Sequence, residues 1–210
     1  MTSGKKVDFN EKSKAAYNKK ADNFDSSLEG QFTRRLQLML VSEMAWREND
    51  AALDVACGNG SLLEYVNRQK PVRGFGVDIS DQMIKNASAK NPGMEFHVSG
   101  CEFLPFPSDS MDLITVCAAY HHFPDPAAFA SEAKRVLKPK GMVYIADMYF
   151  PFLLKVLLNP FVPLLKDGDF RFYSPKEILR NFERFGFEKT AVKIYGQVQV
   201  VSMQKTIAIN

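Results

Sequence analysis

Leu53-Asp54-Val55-Ala56-Cys57-Gly58-Asn59-Gly60-Ser61-Leu62-Leu63 decides the fold, because an apolar run breaks at two closely spaced glycines and then resumes with helical spacing. The stretch reads as strand, glycine turn, helix. Glycine admits positive φ and removes the Cβ from the path of a ligand, while the following helix turns unpaired N–H groups toward it. A second apolar run, Gly74-Phe75-Gly76-Val77, ends on Asp78, twenty residues after Gly58. That spacing suits a carboxylate that grips ribose hydroxyls. Leu63 stands where a dinucleotide fingerprint needs its third glycine, and no G-x-x-x-x-G-K-[ST] loop occurs. A nucleoside ligand without phosphates is expected.

Asp54-Val55-Ala56-Cys57-Gly58-Asn59-Gly60 resembles the first motif of class I S-adenosylmethionine-dependent methyltransferases. The resemblance continues in order. Gly76-Val77-Asp78-Ile79-Ser80-Asp81-Gln82-Met83 is similar to the acidic second motif, and Leu104 through Asp112 to the approach to the fourth strand. Tyr120-His121-His122-Phe123-Pro124-Asp125 and Arg135-Val136-Leu137-Lys138-Pro139-Lys140-Gly141 follow. These segments span about residues 50 to 147, with a looser likeness at Tyr17 to Asp25, and the nearest look is to enzymes that alkylate quinone precursors.

What the resemblance implies is a cofactor, S-adenosyl-L-methionine, and a set of residues around it. Ala56, Cys57, Gly58, Asn59 and Gly60 would form the loop for its methionyl end, and Asp54 would help hold the ammonium. Asp78 would accept hydrogen bonds from both ribose hydroxyls. Ile79 and Met83 would flank the adenine, though a core would show the same apolar pair. At the adenine amino end Gly100 replaces the usual aspartate, which leaves Cys101 and Glu102 as substitutes. Cys117 completes the set, and Tyr17 stands where relatives close an aromatic over the cofactor, with Phe24, Phe32 and Trp46 as packing anchors. His121 and Tyr120 are the candidate catalytic residues: relatives line the space between methyl donor and acceptor with this segment, and a histidine there can take a proton from an acceptor. The alternative for His121 is a hydrogen-bonded structural turn. No metal site is expected, since adjacent histidines fit one ion poorly and no H-x-x-x-H spacing exists.

At 210 residues, 46% hydrophobic and 24% charged, one domain with additions is expected. Strand-like runs at about 51 to 55, 73 to 78, 94 to 98, 112 to 118 and 141 to 147 alternate with helical patterns at about 60 to 69, 81 to 89 and 126 to 137. Alternation of this kind gives a doubly wound, mostly parallel α/β sheet. Phe187 to Tyr195 and Val198 to Ile207, separated by Gly196-Gln197, suit a terminal antiparallel hairpin. The family resemblance implies the seven-stranded, Rossmann-like sheet with the last strand inserted antiparallel. Residues 1–48 are expected as an amino-terminal helical cap and 49–210 as the cofactor-binding α/β domain.

Residues 148–170 interrupt this rhythm with apolar runs broken by Lys155 and three prolines, too short for a bilayer span. Their position after the fifth parallel strand favours a lid over an apolar substrate, with an ordinary core helix as the alternative. Cys57, Cys101 and Cys117 show no C-x-x-C spacing and cannot all pair, which suits a reduced cytoplasmic setting; no signal peptide opens the chain. Six lysines in the first twenty residues are offset by acids, and a net charge of +3 argues against nucleic acid as a partner. Nothing in the sequence specifies an oligomeric state. The expected activity is methyl transfer to a small, partly apolar metabolite. The alternatives are a regulatory module that binds the cofactor without transfer and, disfavoured by Leu63, an NAD-dependent oxidoreductase.

Overall fold

The computed structural model describes residues 3–165 and 167–207; residues 1–2 and 208–210 of the two expected domains, and Lys166 of the 148–170 segment, lie outside them. Five strands match the expected parallel set: β1 (Ala51–Val55), β2 (Arg73–Asp78), β3 (Glu95–Val98), β4 (Met111–Cys117) and β5 (Leu137–Met148). The hairpin strands β6 (Phe187–Tyr195) and β7 (Val198–Lys205) complete a seven-stranded sheet in the order β3-β2-β1-β4-β5-β7-β6. β7 runs antiparallel between β5 and β6. It is buried along almost its whole length, while the outer strand β6 exposes Glu188, Lys189 and Lys193, charges that discourage pairing with another sheet edge.

Helices cover both faces, and the side-chain alternation of each strand divides the core in two. On one face Leu53, Val55, Ile114, Val143 and Ile145 pack with Phe129 and Val136 of α5 (Pro126–Val136) and with Ile178 and Phe182 of α7 (Pro175–Glu183). On the other, Ala52, Leu113, Tyr144 and Val200 pack with Leu36 and Leu40 of α2 (Leu28–Ser42) and Leu62, Leu63 and Val66 of α3 (Ser61–Gln69). Two further helices, α1 (Ser3–Lys20) and α4 (Asp81–Lys90), pack against each other.

The helix starts follow their local signals. Asp125 accepts from the Ala128 N–H ahead of Pro126, and Ser174 with Glu177 closes a reciprocal capping box. β5 begins four residues earlier than its apolar run, at Leu137, where Lys138 reaches across to both carboxylate oxygens of Asp112 at 2.8 and 2.7 Å.

Residues 148–170 do not form a core helix. They make α6 (Phe152–Leu158) and a short 3-10 turn at Val162–Leu164, and Phe152, Leu153 and Leu157 stand 71%, 81% and 65% exposed. Within α6 only Lys155 is buried, and its ammonium pairs with Glu177, which also receives Arg171 at 2.6 Å. No described helix is long and apolar enough to cross a membrane.

Burial alone would raise the Glu177 carboxyl, but the bonds from Lys155 and Ser174 outweigh it and hold the group down at about 2. A depressed carboxyl stabilises the fold fully above its unfolded value near 4.5 and loses that contribution as pH falls toward 2. Glu177→Gln is therefore expected to lower unfolding free energy by about 1–3 kcal/mol at neutral pH. Urea titrations of the variant and the parent should converge between pH 5 and 2, and Lys155→Met should cost less, because it leaves no buried charge unpaired.

Candidate functional site

One large cavity opens at the carboxyl ends of β1, β2 and β4, the edge where an open α/β sheet receives ligands. Its floor is the turn after β1. Ala56, Gly58 and Gly60 all hold positive φ, at 59°, 52° and 76°, as does Ala118 after β4 at 54°. Alanine rarely adopts this region, so two left-handed alanines at adjacent strand ends mark backbone strain concentrated at the cavity wall.

The two glycines have different reasons for being there. A Cβ on Gly58 would meet nothing nearer than Met83 Sδ at 4.0 Å, so that side of the loop is open to the cavity. A Cβ on Gly60 would lie 2.8 Å from Asn91 Nδ2 and 3.2 Å from Ala87 Cβ. Gly60 is needed for packing against α4, and it does not line the cavity.

Asp78 ties the two loops together. Its Oδ2 accepts from the Gly58 N–H at 2.9 Å and its Oδ1 from the Ser80 N–H at 2.8 Å. A carboxylate has about four acceptor positions, so capacity remains beyond these bonds, and Asp78 lines the cavity. Burial raises its carboxyl despite these bonds. Asp54 sits opposite Thr115 in the β1–β4 register and accepts from its hydroxyl at 2.7 Å. Burial, with the Asp78 charge beside it, pushes Asp54 up to about 7 against the opposing pull of the Thr115 hydrogen bond.

Ile79, Met83, Ser99, Gly100, Cys101 and Glu102 line one end of the cavity. A Cβ on Gly100 would meet only Glu102 Oε2, at 2.9 Å, the movable end of a flexible side chain, so the space at this end of the cavity does not by itself demand glycine. Cys57 and Cys117 also line the wall, but burial raises all three thiols well above their ordinary value, so they stay protonated and are poor nucleophiles.

The amino-terminal helices close the other side through polar pins. Asn18 Oδ1 accepts from Ser80 Oγ at 2.6 Å, and Asp25 Oδ1 accepts from Asn59 Nδ2 at 2.8 Å. Tyr17 lines the cavity, with its hydroxyl donating to Glu29 at 2.8 Å and 3.1 Å from His122 Nε2. Asn10, Ser13, Asp25, Thr33, Arg34 and Gln37 line the same side. Sequence reasoning missed these: a helical polar residue looks like a solvated face until the helix is docked. Asp25 did lie in the Tyr17–Asp25 likeness.

The Tyr120–His122 turn differs from expectation in which side chain it offers. Tyr120 and His121 do not line the cavity; His122 does. The turn winds as a 3-10 helix, so successive side chains point about a third of a turn apart. Tyr120 is fully buried among Phe123, Phe129 and Tyr173, with its hydroxyl accepting from Asn181. His121 turns inward to Asp147, whose carboxylate takes its backbone N–H at 2.9 Å and its Nδ1 at 2.7 Å. Against burial, which favours the neutral ring, the Asp147 and Asp169 carboxylates hold His121 up to about 10. Burial and then the His121 charge hold His122 below its ordinary value.

Residues 53–145 match a family described as a methyltransferase domain. The chain is 26% identical over 203 residues to a Staphylococcus aureus demethylmenaquinone methyltransferase, covering 84% of each. It is similar in fold to an S-adenosylmethionine-dependent methyltransferase from Aquifex aeolicus, with TM-score 0.64, 21% identity and 80% and 88% of the two chains covered. A geranyl diphosphate C-methyltransferase from Streptomyces coelicolor, solved with S-adenosyl-L-homocysteine, aligns with TM-score 0.69 at 13% identity, covering 82% and 78%.

The contrast between the glycines is open to test. Gly60→Ala should lower unfolding free energy by about 1–3 kcal/mol, because strain at positive φ adds to a clash with Asn91. Gly58→Ala, with open space, should cost about 1 kcal/mol. Denaturant titration of both variants reads the difference.

Proposed function

We propose that this chain, a class I S-adenosylmethionine-dependent methyltransferase with S-adenosylmethionine as its cofactor, methylates a small, partly apolar metabolite in the cytoplasm. The observation that carries the assignment of roles is the convergence of Gly58, Asp78 and Asp54 on one cavity. The residues fit the cofactor. The open face above Gly58 leaves room for backbone approach, Asp78 has acceptor capacity to spare for a ribose diol, and Asp54 is a buried carboxylate lacking a cation. Ile79, Met83, Gly100, Cys101 and Glu102 would surround the adenine, and Ala56, Cys57, Asn59 and Cys117 the methionyl chain.

The cofactor, when bound, supplies an electrophilic methyl group on a sulfonium. What the protein's own residues contribute is alignment and the exclusion of water. The polar pins of Asn18, Asp25 and Tyr17 hold the amino-terminal helices over the site. His122, the histidine that reaches the cavity, has its pKa held down by burial and then by the His121 charge, so it is neutral at physiological pH and a weak base. His121 and Tyr120 act on the site through packing of the turn. An apolar acceptor is supported by the demethylmenaquinone relative and by the exposed Phe152, Leu153 and Leu157, which we assign to a lid segment within 148–170. The three cysteines are free and buried, which supports a reduced compartment.

Calorimetry with S-adenosylmethionine or S-adenosylhomocysteine should show saturable one-to-one binding, and none at millimolar concentration would overturn the reading. Asp78→Ala should weaken that binding by about 1–3 kcal/mol, the cost of leaving the ribose hydroxyls without their acceptor; unchanged affinity would place the ribose elsewhere.

Asp54 makes binding pH-dependent. With its carboxyl raised to about 7, the free protein holds a proton there below that pH, and the incoming ammonium must displace it. Affinity is therefore expected to rise as pH increases from 6 toward 7 and level off above it, and Asp54→Asn should remove the slope. In the free protein the sign is opposite: a raised carboxyl binds more protons folded than unfolded, so its contribution to stability falls as pH climbs from about 4 to 7.

A further inference from the structure

We propose that His121, His122 and Asp169 form a binding site for a divalent transition-metal ion, with zinc the best match. The sequence separates these residues, because Asp169 lies 47 positions beyond His122. The fold brings them together: the Phe170 and Arg171 N–H groups both donate to the His121 carbonyl, at 2.9 and 3.1 Å, which sets Asp169 against the histidine turn.

Asp169 Oδ1 lies 3.2 Å from His121 Nε2 and 3.6 Å from His122 Nδ1, and one ligand atom from each residue falls within 4.8 Å of the others. Zinc bonds of about 2.0–2.1 Å in a tetrahedron place neighbouring ligand atoms about 3.3 Å apart, close to both separations. Two imidazoles and a carboxylate are also a donor set that first-row divalent ions accept, and three protein ligands leave one tetrahedral position free.

Both rings are already oriented from behind, as metal-binding imidazoles are. His121 Nδ1 donates to Asp147 Oδ1 at 2.7 Å, which turns Nε2 toward Asp169. His122 Nε2 meets the Tyr17 hydroxyl at 3.1 Å, and that hydroxyl donates onward to Glu29. The remaining nitrogen, His122 Nδ1, is buried, makes no hydrogen bond, and faces Asp169 Oδ1 at 3.6 Å. Charge points the same way. Asp147 and Asp169, 3% and 8% exposed, place two carboxylates in the cluster. A dication with neutral rings balances both. His122 also lines the large cavity, which gives an ion a path in.

The test is a titration of chelator-treated, full-length protein with zinc chloride, followed by calorimetry, and with cobalt chloride, followed by visible absorption. One-to-one zinc binding and a four-coordinate cobalt spectrum without thiolate charge transfer are expected. His122→Gln and Asp169→Asn should each weaken zinc binding at least tenfold, and Asp147→Asn about 10- to 100-fold, the range for a residue that orients a ligand. His97→Asn, which alters the one remaining histidine, an exposed partner of Glu95, should leave binding unchanged. Circular dichroism establishes that each variant is folded, and if one is not, the cobalt spectrum of the unaltered protein still decides. No saturable binding, binding that survives both ligand substitutions, or binding lost with His97 would overturn the proposal.

Discussion

The carboxylate of Asp78 is the constraint on which the rest of the site depends. One oxygen holds the Gly58 N–H and the other the Ser80 N–H, so the turn after β1 and the turn after β2 are locked at a single distance. A buried carboxylate that accepts backbone N–H groups resists displacement, because every alternative leaves donors without partners in a poorly solvated place. From that lock follow the open face above Gly58, the left-handed Ala56, and the approach of Asp54 to the cavity. The strain at Ala56 and Ala118 is tolerated because the parallel register of β1 with β2 and β4 over-determines both strand ends.

A second layer of order comes from the amino-terminal helices. They bury Leu36 and Leu40 against the sheet, and this apolar contact sets where α2 lies. The polar pins then decide what the helices do at the cavity: Asn18 on Ser80 and Asp25 on Asn59 each join a helix residue to a loop organised by Asp78, and Tyr17 on His122 joins one to the turn that Asp147 holds. Burial supplies the energy of docking, while these bonds supply its register, since each has a defined partner and a short range.

Much of the fold was legible. The helix starts at Pro126 and Pro175 are local matters of a capping side chain and a first-turn proline, and the structure has both within the expected residues. β1 and β4 stood out as short apolar runs because both their faces are covered. The insertion of β7 between β5 and β6 came only from the family resemblance, as strand order is a long-range property that periodicity does not encode. In 148–170, apolar composition fitted a lid or a core helix equally; the structure exposes α6 and anchors it through Lys155, a residue whose charge had argued only against a membrane span.

By itself, the sequence determined where the parallel strands and the terminal hairpin lie, the glycine turn after β1 and the position of Asp78, because each is governed by contacts a few residues apart or by a motif with fixed spacing. The tertiary structure alone decided that His122 and not His121 reaches the cavity, and that Asp25, Arg34 and Gln37 line it. It also brought Asp169 to the two histidines. The physical reason is that a side chain's direction at a turn, and the partner it meets from across the chain, depend on how whole elements dock, and docking is set by burial summed over the molecule rather than by any local run of residues.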